Sequence, residues 1–175
     1  CAAADGAVLG RLINPSVKAV FEYVLAFLSG QGAGKTKGLA HLVPDALAPY
    51  VKTSVVLDIG NKDSVKGAVG GWICELGELD ASYSKAAQTA FKAFMSREED
   101  ELRLTYAATH SRFKRRTAFI GTVNEPDFLR DQTGSRRFLP LAVGAGFPRW
   151  PAYETDQLWA QVWAAYVSGE QWWPT

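Results

Sequence analysis

"SGQGAGKTKG", residues 29–38, is the stretch on which the reading of this chain turns. The apolar run Tyr23–Leu28 precedes it, and Leu39, Leu42 and Val43 follow at helical spacing until Pro44. A short apolar strand, a glycine-rich turn and a helix start form the setting in which backbone N–H groups converge on an anion. A phosphate loop also needs a lysine for the outer phosphates and a hydroxyl for Mg2+. Gly30, Gln31, Gly32, Ala33, Gly34, Lys35 and Thr36 supply the turn, the cation and the hydroxyl. The strict pattern G-x-x-x-x-G-K-[ST] has a glycine where Ser29 stands, and neighbouring Gly30 offers the missing backbone freedom. The competing reading is a flexible turn that carries a solvated lysine.

The flanking sequence supports the first reading. "TSVVLDIG" (53–60) reads as a second strand, closed by Gly60, and "GGWICELGEL" (70–79) holds a third, short one. A helix is predicted over 82–96, with Ala86, Ala90, Phe91 and Phe94 on one face. Further strands are predicted within 115–124 and 136–143, the latter near a sheet edge because of Pro140. A last helix over 154–170 carries an apolar stripe of Leu158, Trp159, Val162, Trp163, Tyr166 and Val167. The stretch 101–116 reads either as a hairpin or as an irregular loop. Strands alternating with helices predict an α/β domain with a mainly parallel central sheet. With the glycine-rich loop, this is the expected three-layer architecture of a P-loop NTPase. Residues 1–22 are expected to form an N-terminal extension partly outside the core, and 23–175 the domain itself.

Composition narrows the function classes. The chain has 175 residues, 47% hydrophobic and 21% charged, which suits one globular domain. A net charge of +1 argues against a bulk polyanion binder, so any nucleic-acid site must come from local clustering. Cys1 and Cys74 cannot build a disulfide framework or a zinc quartet, which fits a reducing cytoplasm. His41 and His110 are too few for a histidine-based metal site. The longest apolar run is too short to span a bilayer, so no membrane partner is expected. "CAAADGAVLG" lacks the basic region of a secretion signal, and a start at Cys1 reads as an excised piece of something longer.

Several polar residues sit at predicted strand ends, where an α/β site would gather them. Glu75 ends an apolar strand and Glu78 follows one short turn later; either can hold a metal-bound water or polarise an attacking one. The alternative is a strand end turning acidic as it meets water. Asn124 ends another apolar strand, where its amide can place water beside a γ-phosphate or simply close a turn. Arg136 and Arg137 can offset charge on a transferring phosphoryl group, or form a surface pair. "HSRFKRR" (110–116) gathers Arg112, Lys114, Arg115 and Arg116 around Phe113, a pattern that can track a single strand by phosphate contact and stacking. The rival is a solvated loop whose arginines pair with Glu98, Glu99, Asp100 and Glu101.

Taken in order, "QGAGKT", "GGWICELGELD", "FKAFMSREEDELRLTYA", "FIGTVNEPDFLRDQTGSRRFLPL" and "DQLWAQVWAAYVSGEQWW" resemble the virulence-associated protein E family over roughly residues 23–173. "GTVNEPDFLRDQTGSRRF" is the most specific block. The resemblance implies a P-loop ATPase of the broad AAA+ group, related to superfamily 3 helicases and to primase–helicases of phages and mobile elements. It implies ATP and Mg2+, with Lys35 and Thr36 as the Walker A lysine and hydroxyl. Glu75 then stands as the Walker B acid, with Cys74 where an aspartate usually precedes it. Asn124 matches sensor 1, and Arg136 and Arg137 match arginines that reach a neighbouring subunit's γ-phosphate. It implies a replication motor on single-stranded DNA, a ring and more specifically a hexamer, and a primase or other replication region elsewhere in longer relatives. The segment 103–116 lies where relatives face DNA in the ring's pore. A nucleotide-dependent origin scaffold without unwinding stays open, as does a small-molecule kinase, although no acceptor-binding lid is evident.

Overall fold

The computed structural model describes residues 23–77, 79, 85–103, 108–124, 137–144 and 151–170. Five strands form one sheet in the order β2-β3-β6-β1-β7, and every neighbouring pair is parallel. They are β1 (Val24–Leu28), β2 (Val51–Val55), β3 (Ile73–Leu76), β6 (Ala118–Val123) and β7 (Phe138–Ala142). A separate antiparallel hairpin pairs β4 (Glu99–Leu102) with β5 (Ser111–Lys114). Of the two readings of 101–116, the hairpin is the one observed. The proposed extension 1–22 lies outside the described residues.

The central strands are apolar on both faces because both faces are covered. Along β1, Val24 and Ala26 join one core cluster while Leu25 and Phe27 join the other. The first cluster takes in Val65 and Ala68 of α2 (Lys62–Val69) and Phe91, Phe94 and Met95 of α3 (Lys85–Met95). The second takes in Leu39 of α1 (Lys35–His41), with Trp159 of α4 (Ala152–Val167) packed against it. The sheet is thus sandwiched between two helical layers. Pro140 lies on β7, an outer strand, where its missing N–H costs no ladder bond.

Three stretches depart from expectation. The second strand runs over Val51–Val55, earlier than 53–60, and the chain leaves the sheet at Val56, which is 77% exposed. Helix α2 has no counterpart in the sequence reading. Half of its eight residues are polar, and its start is set by Asn61, whose side chain accepts from the N–H groups of Asp63 (2.9 Å) and Ser64 (3.3 Å). The apolar stripe of α4 is only partly covered, since Trp163 and Val167 are 55% and 65% exposed. That helix docks through its amino half. Thr155 Oγ1 donates to the carbonyl of His41 and Trp159 Nε1 to that of Leu42, each at 2.9 Å, satisfying carbonyls left over at the end of α1. Trp159 also stacks on Trp72, with ring centroids 5.5 Å apart.

The hairpin is riveted to the core by one buried cation. Arg115, 3% exposed, forms a two-pronged salt bridge with Asp100, with Nε at 2.9 Å from Oδ2. Its remaining arm donates to the carbonyl of Phe94, and its guanidinium lies 4.2 Å from the centroid of the Phe94 ring. Removing one partner of such a pair leaves the other buried and uncompensated. Arg115→Ala should therefore cost about 3–5 kcal/mol in urea unfolding. Arg116→Ala, at an exposed position, should stay within about 0.5 kcal/mol of the parent protein.

Candidate functional site

Strand order assembles the site. β6, late in sequence, lies between β1 and β3, so the carboxyl ends of β1, β6 and β3 stand side by side. Neighbouring strands are about 4.8 Å apart, so residues leaving these ends fall within about 10 Å of one another. Ligands of open α/β sheets bind outside the carboxyl ends where strand order switches direction.

From β1 the chain enters the glycine-rich loop. Gly32 and Gly34 have φ of 81° and 79°, a left-handed conformation that a side chain would strain. Ser29 has no such φ, since Ser54 is the one non-glycine residue with positive φ among the described residues. Serine therefore replaces the first glycine of the pattern without backbone conflict. Gly30, Gln31, Gly32 and Gly34 are exposed and Ala33 half-buried, so the loop's backbone is open to a ligand.

Lys35, 8% exposed, turns its ammonium under this loop. Nζ donates to the carbonyls of Ser29 (2.7 Å), Gly30 (3.4 Å) and Val123 (3.2 Å), and to Oδ1 of Asn124 (2.9 Å). Desolvating a charge demands such partners. The same bonds join the end of β1 to the end of β6.

Next to it, Thr36 Oγ1 donates to Glu75 Oε1 at 2.6 Å. Glu75 is fully buried, and its other oxygen, Oε2, accepts the backbone N–H of Ser54 at 2.9 Å. Threonine hydroxyl and carboxylate oxygen together offer a hard divalent cation the one or two protein ligands that Mg2+ usually takes beside substrate phosphate. Among the described residues there is no cluster of three or more His, Cys, Asp or Glu, so no all-protein metal cage is on view there. Cys74 faces away into the core. Burial, with the neighbouring Glu75 carboxylate, pushes its thiol up to about 12, which keeps it neutral and inert.

The structure thus brings together Lys35, Thr36, Glu75 and Asn124. Glu78 and Arg136 lie outside the described residues. Arg137 is placed elsewhere: it precedes β7, at the amino end of a sheet whose carboxyl end holds Lys35, and β1 alone spans about 16 Å. Its NH2 donates to Ser96 Oγ at 3.2 Å. In the hairpin, Arg112, Phe113, Lys114 and Arg116 are exposed, Phe113 by 41%. Arg115 is a correction to the expected DNA-facing set, because its guanidinium is buried against Asp100 and cannot meet a phosphate. Lys114 and Arg112 stand directly across from Glu99 and Glu101. The residue that sequence reasoning missed is Ser54. Its role depends on pairing between β2 and β3, which no local pattern announces.

No curated protein matches the chain. Among solved structures, an apo structure of the NrS-1 C-terminal region (305–718) is similar at TM-score 0.58 and 20% identity, covering 94% of this chain and 41% of that one. A second, the A form of the apo NrS-1 C-terminal region, gives TM-score 0.55 and 17% identity, over 96% of this chain and 40% of that one. The likeness is one of fold, and the chain spans about two fifths of the length of these structures. A family model for the virulence-associated protein E-like domain matches residues 6–175. The chain belongs to the virulence-associated protein E-like family.

Proposed function

We propose that this chain is a P-loop ATPase module of a phage or mobile-element replication protein. One observation carries the reading: Lys35, Thr36, Glu75 and Asn124, far apart in sequence, converge at the carboxyl ends of β1, β3 and β6 beside an exposed glycine-rich loop. On this reading the loop N–H groups and Lys35 bind the phosphates of ATP, which compete for the ammonium now held by backbone carbonyls. Thr36 and Glu75 would hold Mg2+, Glu75 through a bound water, and the ion would neutralise developing charge on the phosphates. Glu75 and Asn124 orient the attacking water. Little covalent chemistry is asked of the protein, so positioning and electrostatics supply the rate.

Arg137 is too distant to serve its own subunit's phosphates. A finger role therefore requires a neighbouring copy, in a head-to-tail ring that matches the hexamer the family resemblance implies. Exposed Arg112, Lys114 and Arg116 with Phe113 support a contact with single-stranded DNA. One observation favours the scaffold alternative without unwinding: Glu99 and Glu101 oppose Lys114 and Arg112 across the hairpin and offset their charge. Among the described residues no helix is long and apolar enough to cross a membrane.

Lys35→Ala should abolish ATP binding while circular dichroism stays that of the parent protein; unchanged ATP affinity would remove the phosphate-loop assignment. Glu75→Gln should still bind ATP and lose about 10²–10⁴ in turnover, the usual worth of a positioned base. For DNA, replacing both Arg112 and Lys114 with alanine should flatten the slope of log K against log salt by about 1.4, at about 0.7 per contact. Anisotropy of a labelled oligonucleotide across a salt series reads this directly. An unchanged slope and affinity would remove the hairpin from the DNA site and leave the ATPase reading untouched.

A further inference from the structure

Opposite Glu75, the edge strand breaks register. Val51 and Lys52 pair with Ile73 and Cys74, and pairing resumes at Val55 with Leu76. Thr53 and Ser54 on β2 thus stand against Glu75 alone on β3. Two residues against one is a β-bulge, rare between parallel strands and common beside active sites, where it re-aims a group. Ser54 carries the distortion, with φ of 54°. That left-handed conformation is unfavourable for serine and persists only where its surroundings impose it. The result is visible in the hydrogen bonding: the N–H of Ser54 points at Glu75 Oε2 from 2.9 Å.

The two oxygens of Glu75 are therefore held differently. Oε1 is held by Thr36 Oγ1, a hydroxyl that rotates about one side-chain bond, and Oε2 by backbone. A ligand that draws the Thr36 hydroxyl away frees Oε1 and leaves Oε2 anchored. The side chain of Ser54 is exposed, so its contribution runs through the main chain.

We propose that Ser54 is a positioning residue, whose bulged, left-handed backbone fixes the plane of the Glu75 carboxylate and leaves one oxygen available to the attacking water. This rests on the hydrolase reading above.

A substitution series on the 175-residue chain separates the possibilities. Glycine adopts left-handed φ freely and keeps the N–H, alanine removes only the hydroxyl, and valine resists that φ. Ser54→Gly and Ser54→Ala should retain turnover. Ser54→Val should lose about 10²-fold in kcat, the cost of a misplaced group, with KM for ATP within about two-fold. An ordinary edge-strand role predicts the reverse order, since valine suits strands and glycine weakens them. Melting temperatures read alongside show whether any variant has failed to fold. If Ser54→Val keeps its kcat, or if Gly and Ala fall with it, the proposal is overturned. Amide hydrogen exchange gives a readout that needs no turnover: Glu75→Ala should expose the Ser54 N–H. Unchanged protection there also overturns the proposal. Exposure of that N–H in a protein whose parent does not hydrolyse ATP would retire the hydrolase reading and the catalytic role with it, while confirming the contact.

Discussion

A buried ammonium ties the carboxyl end of β1 to that of β6. Lys35 enters the protein almost wholly, and its charge is met by the carbonyls of Ser29, Gly30 and Val123 and by Asn124. Val123 and Asn124 are within its reach only because β6 has inserted between β1 and β3. The insertion also places Glu75 on the far side of β6, within reach of Thr36 from the helix that Lys35 begins. Loop conformation, strand order and the buried charge thus depend on one another. A charge left in that position without its carbonyls would be strongly unfavourable, so the loop and the sheet are constrained to form together.

The sheet also separates two surfaces. Its carboxyl edge carries the loop, Lys35, Thr36, Glu75 and Asn124. Arg137 stands at its amino edge, beside Ser96 at the end of α3, and Arg115 holds the β4–β5 hairpin to the last turn of the same helix. On the proposed reading, a ring closes by setting the amino edge of one copy against the carboxyl edge of the next. α3 then physically links the hairpin to the arginine that a neighbour would receive.

What was legible in the sequence follows from the range of the interactions involved. The glycine-rich turn between an apolar run and a helix is a local pattern, and it marked β1, α1, Lys35 and Thr36 directly. Glu75 and Asn124 were legible as polar residues closing buried strands. Pro140 placed β7 at an edge because a missing N–H is a local fact with a tertiary consequence. α2 was not legible, since only Val65 and Ala68 of its eight residues are buried. Arg115 read as one basic residue among several; its burial depends on Asp100 across the hairpin and on the Phe94 ring, neither of which periodicity reveals. Ser54 is the clearest case. Its conformation follows from a register shift between two strands, and "KTSVV" carries no glycine to announce a left-handed residue. Trp163 and Val167 share the helical spacing of Trp159, yet α4 docks by its amino half and leaves them exposed.

On the proposed reading, the loop and Lys35 form a site for a polyphosphate chain. Competition in a calorimeter tests it most directly, with ATP displaced in turn by inorganic tripolyphosphate and by adenosine, each with Mg2+. Tripolyphosphate should compete with ATP, and adenosine at the same concentration should not. Displacement by adenosine with none by tripolyphosphate would contradict it, because the affinity would then reside in a base pocket and not in the phosphate cradle.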